Sequence, residues 1–226
     1  MIEAQTTGEA LHPDLRAHVR TETIGDQRVQ MIRHPLVVYL PYAPSINATV
    51  NRLYESKQAA VKDATEREDW YRLVHMHERW YRLEAFLSIP AERISDRDYW
   101  QLLSEIWSDS ENIHEYLDHW RRLLSSDRPG RHLMMSDHDR QRLEAMAEEL
   151  TVYRGYAHPQ AADGMSWTLD EERARWFAAR FDPDQAWLAR AVIGRGRVIA
   201  FLDGRGEEEI ILNPRDLHDR TDQQIS

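Results

Sequence analysis

The chain has 226 residues, of which 42% are apolar and eight are Trp, so it is large enough to bury a core in one or two domains. Its formal net charge of -10 argues against avid nonspecific binding to nucleic acid, because neutralising phosphates needs a cationic surface. The absence of cysteine excludes disulfides and thiolate metal sites.

Residues 1–46 are predicted to form an N-terminal arm that contains a β-hairpin. Within Val19–Tyr42, two apolar runs are separated at His34–Pro35, which is typical of two strands joined by a turn. Residues 1–16 hold several acidic side chains and no apolar run, so a secretory signal is not expected. No stretch reaches membrane-spanning length, and we expect a cytoplasmic protein with no membrane partner.

Residues 47–150 are predicted to be helical, because apolar side chains recur there with the period of a helix. The helices are expected near residues 47–62, 66–88, 96–107, 111–124 and 137–149. Ser95 and Ser136 are each followed three residues later by an Asp, which is typical of a helix N-cap. Trp100 and Trp107 share one helical face, which we interpret as core and not as a ligand cage.

Residues 151–226 change to a strand-rich pattern. Strands are predicted at residues 151–156, 187–193, 197–202 and 208–212. An apolar stripe predicts one helix over residues 169–181. A segment of this size buries too little surface to fold alone, so we expect it to pack on the helices. The fold class is therefore predicted to be α+β, with a helical N-terminal portion packed on a compact β-sheet core.

Two familiar site motifs nearly occur and are rejected. Neither Gly194–Gly196 nor Gly204–Gly206 is followed by the third glycine that a dinucleotide-binding turn of the Rossmann type needs. His114 and His119 are five residues apart, which on a helix turns their side chains away from each other. No metal site is expected.

Arg154 lies in the middle of the predicted strand 151–156 and is followed by Gly155. One interpretation is an exposed strand residue, which is common for arginine. The other is a bidentate phosphate clamp, in which Gly155 lets the backbone approach the ligand closely.

A second unusual segment is Ser166-Trp167-Thr168, which precedes the predicted helix. Thr168 and Glu171 have the spacing of a capping box, and this explains Thr168 as a helix start. It does not explain why Ser166 and Trp167 stand before it.

Three consecutive glutamates, Glu207 to Glu209, precede the aliphatic run Ile210–Leu212. In a strand, Glu207 and Glu209 project to one face and Glu208 to the other. Neighbouring carboxylates repel each other and raise a pKa, so such a pair lies either at an open edge or in a functional site.

In their order along the chain, these pieces resemble the Arg-Ser-Glu class of ADP-ribosyltransferases, which includes the clostridial binary toxins and the arginine-specific ectoenzymes. The resemblance covers residues 150–214 and depends on Arg154, on Ser166-x-Thr168 and on Glu207-x-Glu209. It implies a split β-sheet core of that kind in residues 151–226, with NAD as the substrate. The segment Asp203–Gly206 is shorter than the target-recognition loop that the family often has.

The resemblance also implies roles for individual residues. Glu209 would stabilise the ribosyl cation that forms when the nicotinamide–ribose bond breaks, and Glu207 would take a proton from the acceptor. Ser166 would hold Glu209 in position, and Thr168 would support the same strand while capping the helix. Arg154, beside Gly155, would clamp the phosphates, and Trp167 or Tyr156 would stack on a ring of the dinucleotide.

The function implied is that of a mono-ADP-ribosyltransferase acting on a macromolecule, with a protein arginine favoured over nucleic acid as acceptor. A role as a toxin or phage-conflict effector is expected, with an antitoxin or a chaperone as a further candidate partner. Two alternatives stay open: an NAD glycohydrolase that transfers only to water, and a non-catalytic module whose aromatic helices bind a partner.

Overall fold

The computed structural model describes residues 8–110, 113–158, 161–180 and 183–225. Helices and antiparallel sheets together make up this structure, so the predicted α+β class is confirmed. The chain divides into two compact units, Met1–Asp98 with Ser108–Glu111, and Tyr99–Trp107 with Asn112–Ser226. This division differs from the predicted boundaries at residues 46 and 150, because part of the helical region shares a core with the C-terminal sheet.

The first unit begins with the short helix α1 (Pro13–Arg16) and a sheet whose described strands run in the order β1-β2-β3. These strands are β1 (Val19–Ile24), β2 (Gln27–His34) and β3 (Val37–Tyr39). The predicted turn at His34–Pro35 joins β2 to β3. Strand β1 is an addition that the hydrophobic pattern did not indicate, because most of its side chains are exposed and polar.

The helices of the first unit are α2 (Asn47–Glu66), α3 (Trp70–Met76), α4 (Arg82–Leu87) and the start of α5 (Asp96–Asp109). The helix predicted over residues 66–88 is divided, because His77 has an extended backbone and a short 3-10 turn follows it. Ser95 caps α5 as predicted, with its Oγ accepting from the Asp98 N–H at 3.0 Å.

The second unit contains Tyr99–Trp107 of α5 together with α6 (Leu117–Leu124), α7 (Asp137–Ala145) and α8 (Glu171–Ala179). Ser136 caps α7 as predicted, accepting from the Asp139 N–H at 3.0 Å. Helix α6 begins later than predicted, after a 3-10 turn, and residues 111 and 112 of that prediction lie outside the described residues. The last residue predicted for α8, at position 181, also lies outside them.

Among the described residues of the second unit, strands pair antiparallel in the order β7-β8-β5-β4-β6-β9. They are β4 (Glu149–Tyr156), β5 (Ser166–Thr168), β6 (Trp187–Gly194), β7 (Ala200–Leu202), β8 (Glu209–Ile211) and β9 (His218–Gln224). The edge strand β9 was not predicted, because nearly all its side chains are polar and exposed.

The two faces of this sheet carry different residues. Directly paired residues of antiparallel strands share a face, so the pairs Trp167–Ile210 and Phe201–Ile210 lie on the face that forms the buried core. Thr168 pairs with Glu209, which places both on the opposite face. The alternation of side chains along β5 puts Ser166 there too.

Candidate functional site

The three sequence motifs meet on neighbouring strands. The sheet order places β8 beside β5 and β5 beside β4. Glu209, Ser166 with Thr168, and Arg154 therefore belong to adjacent strands, although 55 sequence positions separate the first of these residues from the last. This convergence requires the long connections of the sheet, which no local pattern encodes.

Glu209 is a buried carboxylate with one oxygen held in place. It is the first residue of β8 and is only 7% exposed. Its Oε1 accepts hydrogen bonds from the Ser166 hydroxyl at 2.5 Å and from the indole N–H of Trp107 at 3.0 Å. Its Oε2 lies 3.9 Å from the guanidinium of Arg205. The carboxylate is thus oriented through one oxygen, while the other faces a cation.

Different neighbours of Glu209 shift its pKa in opposite directions. Burial raises the pKa of Glu209 above the usual value of 4.5, and the nearby charge of Glu207 adds to this rise. The hydrogen bonds from Ser166 and Trp107 and the charge of Arg205 lower the same pKa, without cancelling the effect of burial. A carboxylate with a raised pKa and fixed geometry is typical of functional sites.

Trp107 is a site residue that the sequence did not reveal. The interpretation as core is correct for its ring, which is buried at 1% exposure and lies edge-on to Trp120 at 5.0 Å between centroids. Its N–H, however, reaches from α5 to the carboxylate of Glu209. The spacing of apolar residues locates a buried face but carries no information about where a polar edge on that face points.

Glu207 reaches the site by a different route from the one predicted. Strand β8 starts only at Glu209, and Glu208 has a left-handed backbone with φ 44°, so strand alternation does not extend back to Glu207. Glu207 and Glu209 instead converge on Arg205, whose Nη2 lies 2.9 Å from Glu207 Oε2. Glu208 turns away and pairs with Arg142 at 2.7 Å.

Thr168 fastens the segment that carries Glu207. Its hydroxyl donates to the Glu207 carbonyl at 2.7 Å and accepts from the Asp170 N–H at 3.0 Å. The predicted capping box of Thr168 is wrong, because Asp170 is the N-cap of α8 and accepts from the Arg173 N–H at 3.1 Å. Thr168 therefore supports the site by holding the backbone of Glu207.

Arg154 is neither an exposed strand residue nor an open phosphate clamp. Its Nε donates to the Ala161 carbonyl at 3.0 Å and its Nη1 to the Ser166 carbonyl at 2.5 Å. The guanidinium also lies against the backbone of Gly164. A side chain at that position would exclude it, because a Cβ there would be 2.1 Å from Nη2. Burial lowers the pKa of Arg154 to about 10, against the opposing charge of Glu209, so the group stays protonated at neutral pH. Arg154 thus anchors the segment that leads into β5.

The other predicted ligand contacts are packed against protein. A Cβ on Gly155 would lie 1.9 Å from the Ala174 carbonyl oxygen. The missing side chain of this glycine therefore makes room for α8 and not for a ligand. Trp167 is 2% exposed and donates to the Gly164 carbonyl at 2.9 Å. Tyr156 is 7% exposed, and its hydroxyl donates to Asp222 at 2.8 Å. Rings buried to this extent offer no face for stacking on a dinucleotide.

Chemically, the site combines an oriented, buried carboxylate with a second carboxylate and a guanidinium at its rim. A fixed negative group in a poorly hydrated position can stabilise a cation that forms beside it. In the ranges that the structure describes, no cluster of three or more His, Asp or Glu side chains is arranged to hold a metal ion. No helix in those ranges is both long and apolar enough to cross a membrane.

Comparison of the chain with protein-family models, with curated proteins and with solved structures gave no significant match. Function is therefore inferred from the arrangement around Glu209.

Proposed function

We propose that this protein is a mono-ADP-ribosyltransferase that breaks the nicotinamide–ribose bond of NAD and transfers ADP-ribose to an arginine side chain. The observation that carries the proposal is the carboxylate of Glu209, buried and oriented by Ser166 and Trp107. Ser166 donates to this carboxylate and Glu207 shares Arg205 with it, so two of the motifs that resemble the Arg-Ser-Glu class meet here, whereas Arg154 binds backbone carbonyls.

The proposed reaction needs such a group. As nicotinamide leaves, the ribose acquires oxocarbenium character, and a carboxylate beside the sugar stabilises this charge. A buried carboxylate is more effective than a solvated one, because the surrounding dielectric is low and no water has to reorient. Ser166 and Trp107 are positioning residues here, since they fix Oε1 and leave Oε2 for the sugar.

The acceptor is proposed from the rim of the site. Glu207 and Glu209 both approach one guanidinium nitrogen, Nη2 of Arg205, at 2.9 Å and 3.9 Å. This geometry suits an arginine acceptor, whose high pKa makes a nearby base necessary for attack. Glu207 is the carboxylate closer to Nη2 of Arg205, so we assign to Glu207 the role of taking the proton from the acceptor arginine.

We expect Glu207→Ala to separate cleavage from transfer. The variant keeps Glu209 and should retain substantial nicotinamide release, because water can still capture the ribosyl cation. It should lose transfer of labelled ADP-ribose to protein, because the acceptor lacks its base. The experiment measures nicotinamide release and acid-precipitable label in parallel.

Glu208→Ala is the matched control, since Glu208 pairs with Arg142 and not with Arg205. It should keep both activities. Equal loss of cleavage and transfer in Glu207→Ala would contradict the separate role of Glu207. A native protein that releases nicotinamide but transfers nothing would identify an NAD glycohydrolase. A native protein without NAD cleavage would refute the proposal.

We expect Trp107→Phe to slow nicotinamide release about tenfold, in line with the loss of one hydrogen bond to a charged group. Most of the ring volume remains, but one of the two donors to Glu209 Oε1 is removed. Because that hydrogen bond lowers the pKa of Glu209, the acidic limb of the rate profile should also move to higher pH. A purely structural role for Trp107 would not move this limb.

Trp120→Phe provides the comparison. Trp120 is equally buried, and its N–H has no hydrogen-bond partner among the described residues. Removing that donor should leave both rate and pH profile unchanged. If Trp107→Phe and Trp120→Phe behaved alike, the positioning role of Trp107 would be wrong.

A further inference from the structure

The turn between β2 and β3 is closed by a histidine side chain. His34 ends β2 and pairs with Val37 at the start of β3, so Pro35 and Leu36 form the turn. Nδ1 of His34 accepts the Leu36 N–H at 3.0 Å. Asn and Asp side chains commonly make this contact with the N–H two residues on. The Pro35 carbonyl accepts from the Glu78 N–H at 2.8 Å, which attaches the turn to the segment after α3.

The hydrogen bond to Leu36 requires a neutral imidazole. A neutral ring has one accepting and one donating nitrogen, whereas both nitrogens of the charged ring donate. Because Nδ1 of His34 is the acceptor, a further proton must bind there, and the Leu36 N–H then loses its partner. His18 and His77 differ, since their Nδ1 atoms donate to backbone carbonyls at 2.9 Å and 2.8 Å. Protonation of either ring leaves these contacts intact.

Aromatic rings from several elements enclose His34. Its ring lies 4.6 Å from that of His18, which precedes β1, and 5.0 Å from that of Tyr54 on α2. The Tyr54 ring lies 4.8 Å from that of His12, and its hydroxyl donates to Asp14 on α1 at 2.8 Å. The carboxylate of Asp14, which could serve as a counter-ion for His34, is therefore already bound by Tyr54.

These surroundings oppose a positive charge on His34. Burial and the charges of three neighbouring imidazoles lower the pKa of His34 from 6.5 to about 4, against the opposing charge of Asp14. The three imidazoles are those of His18, His77 and His12. Burial also lowers the pKa of His77. The folded first unit therefore takes up protons at these positions less readily than a solvated chain does.

The turn holds apolar side chains in the core of the first unit. Leu36 and Val37 are both buried, and they belong to one cluster with Ile32, Val50 and Tyr54. An open turn would bring these two side chains into water, which is unfavourable. The hydrogen bond from Leu36 to His34 therefore protects more than the turn itself.

We propose that His34 is an acid-sensitive latch, which keeps the β2–β3 turn closed while its imidazole is neutral and releases the turn when it is protonated. This inference goes beyond the proposed function and does not depend on it. Release would separate β3 from β2 and expose Leu36 and Val37.

The direction of the effect follows from proton linkage. Above the ordinary pKa of 6.5, His34 is neutral in both the closed and the open turn, and pH has no effect through this group. As the pH falls from 6.5 towards about 4, the open turn binds a proton that the closed turn excludes, so the closed turn loses stability. Below about 4 both forms are protonated, and the loss is complete.

The test uses the full chain and follows the imidazole of His34 and amide hydrogen exchange by NMR, from about pH 7 to about pH 4.5. Exchange is corrected for its intrinsic pH dependence. In native protein, protection of the Leu36 and β3 amides should fall at least about tenfold more than that of the β4 amides, which lie in the second unit. The fall should accompany titration of the His34 ring.

His34→Asn is the informative variant. The Asn side-chain oxygen can accept the Leu36 N–H, as in turns that begin with Asn-Pro, but it does not take up a proton in this pH range. Relative to its own value near pH 7, the protection of Leu36 at about pH 4.5 should exceed that of native protein at least about tenfold.

His75→Gln is the matched control. His75 lies on α3, its ring stacks on that of Tyr71 at 4.2 Å, and its Nδ1 donates to the Tyr71 carbonyl at 2.9 Å. Because its protonation breaks no hydrogen bond, this variant should show the same acid-induced loss of protection as native protein. An equal loss in His34→Asn and His75→Gln would overturn the inference, since acid would then act through another group.

Native protein provides a second test that does not depend on how His34→Asn folds. If the His34 ring titrated near 6.5 while the Leu36 amide stayed protected, the latch would be refuted. Protection of Leu36 that lasted until the β4 amides also exchanged would refute it equally. Neither measurement involves NAD, so failure of the latch and failure of the proposed function are distinguishable.

Discussion

We expect Glu209→Gln to lower nicotinamide release from NAD by roughly a hundredfold to a thousandfold while the chain stays folded. The amide oxygen of Gln can accept both hydrogen bonds that reach Oε1, from Ser166 and from Trp107. What disappears is the negative charge, which matters only as the ribose becomes cationic. Turnover should be measured at saturating NAD, and NAD binding by calorimetry in parallel.

The same substitution has a predictable effect on stability. Burial raises the pKa of Glu209, so the folded protein holds this proton more tightly than the unfolded chain does. At a pH below the ordinary pKa of 4.5, the carboxyl group is neutral in both the folded and the unfolded protein and does not affect the free energy of unfolding. As pH rises from there through the raised pKa, ionisation in the buried position destabilises the fold. Glu209→Gln should therefore increase Tm at neutral pH, with a difference that vanishes in acid.

Two results would contradict this account of Glu209. Near-native turnover of Glu209→Gln would remove the carboxylate from the mechanism. A fall in Tm at neutral pH would mean that ionised Glu209 stabilises the fold, as an ordinary ion-paired carboxylate does. The native rate itself should rise with pH through the raised pKa of Glu209, since the ionised form is the active one.

The sequence motifs contain both partners of the contact between Ser166 and Glu209, but they do not predict the geometry that joins them. Glu209, Ser166 and Thr168 form a recognisable group because their order along the chain matches a known arrangement. Their spatial relation depends on the strand order β8-β5-β4, which requires pairing between distant segments. The hydrogen bond from Trp107 depends on the same long-range packing, since Trp107 and Glu209 are 102 positions apart.

The predicted start of β8 is wrong because of one backbone angle. The strand predicted from residue 208 starts one residue later, because Glu208 adopts a positive φ that glutamate rarely takes. The bounds of β4, β6 and α8 lie within two residues of the predicted ones. Strand β7 begins at Ala200 and not at residue 197, because Arg195–Arg197 forms a 3-10 turn, and α7 ends at Ala145, four residues earlier than predicted. The polar strands β1 and β9 lack apolar periodicity, so no hydrophobic pattern could indicate them.

We expect Gly155→Ala to destabilise the protein by about 1–3 kcal/mol or more, because overpacking here moves backbone atoms and not a flexible side chain. The added Cβ would lie 1.9 Å from the Ala174 carbonyl oxygen and 2.6 Å from the Ala178 nitrogen, both on α8. For a chain of this size, such a loss lowers Tm by roughly 2–12 °C. Thermal unfolding followed by circular dichroism would measure it.

Gly194→Ala is the matched control for this effect. Gly194 ends β6 and has an ordinary extended backbone with φ -65°. A Cβ added to Gly194 would meet no atom of the described residues within 4 Å, apart from its chain neighbours. Alanine there should leave Tm near the native value. The comparison removes the general contribution of glycine to the flexibility of the unfolded chain, which both substitutions share.

The pair of glycine variants also separates packing from ligand binding as the reason for Gly155. If Gly155 accommodates α8, then Gly155→Ala lowers Tm with or without NAD, and any NAD affinity falls only with the folded fraction. If Gly155 instead admits a phosphate, Gly155→Ala keeps the native Tm in the absence of NAD but binds NAD poorly. That second result would show α8 to be adjustable at Ala174, and Arg154 with Gly155 would regain the phosphate-binding role that the sequence suggested.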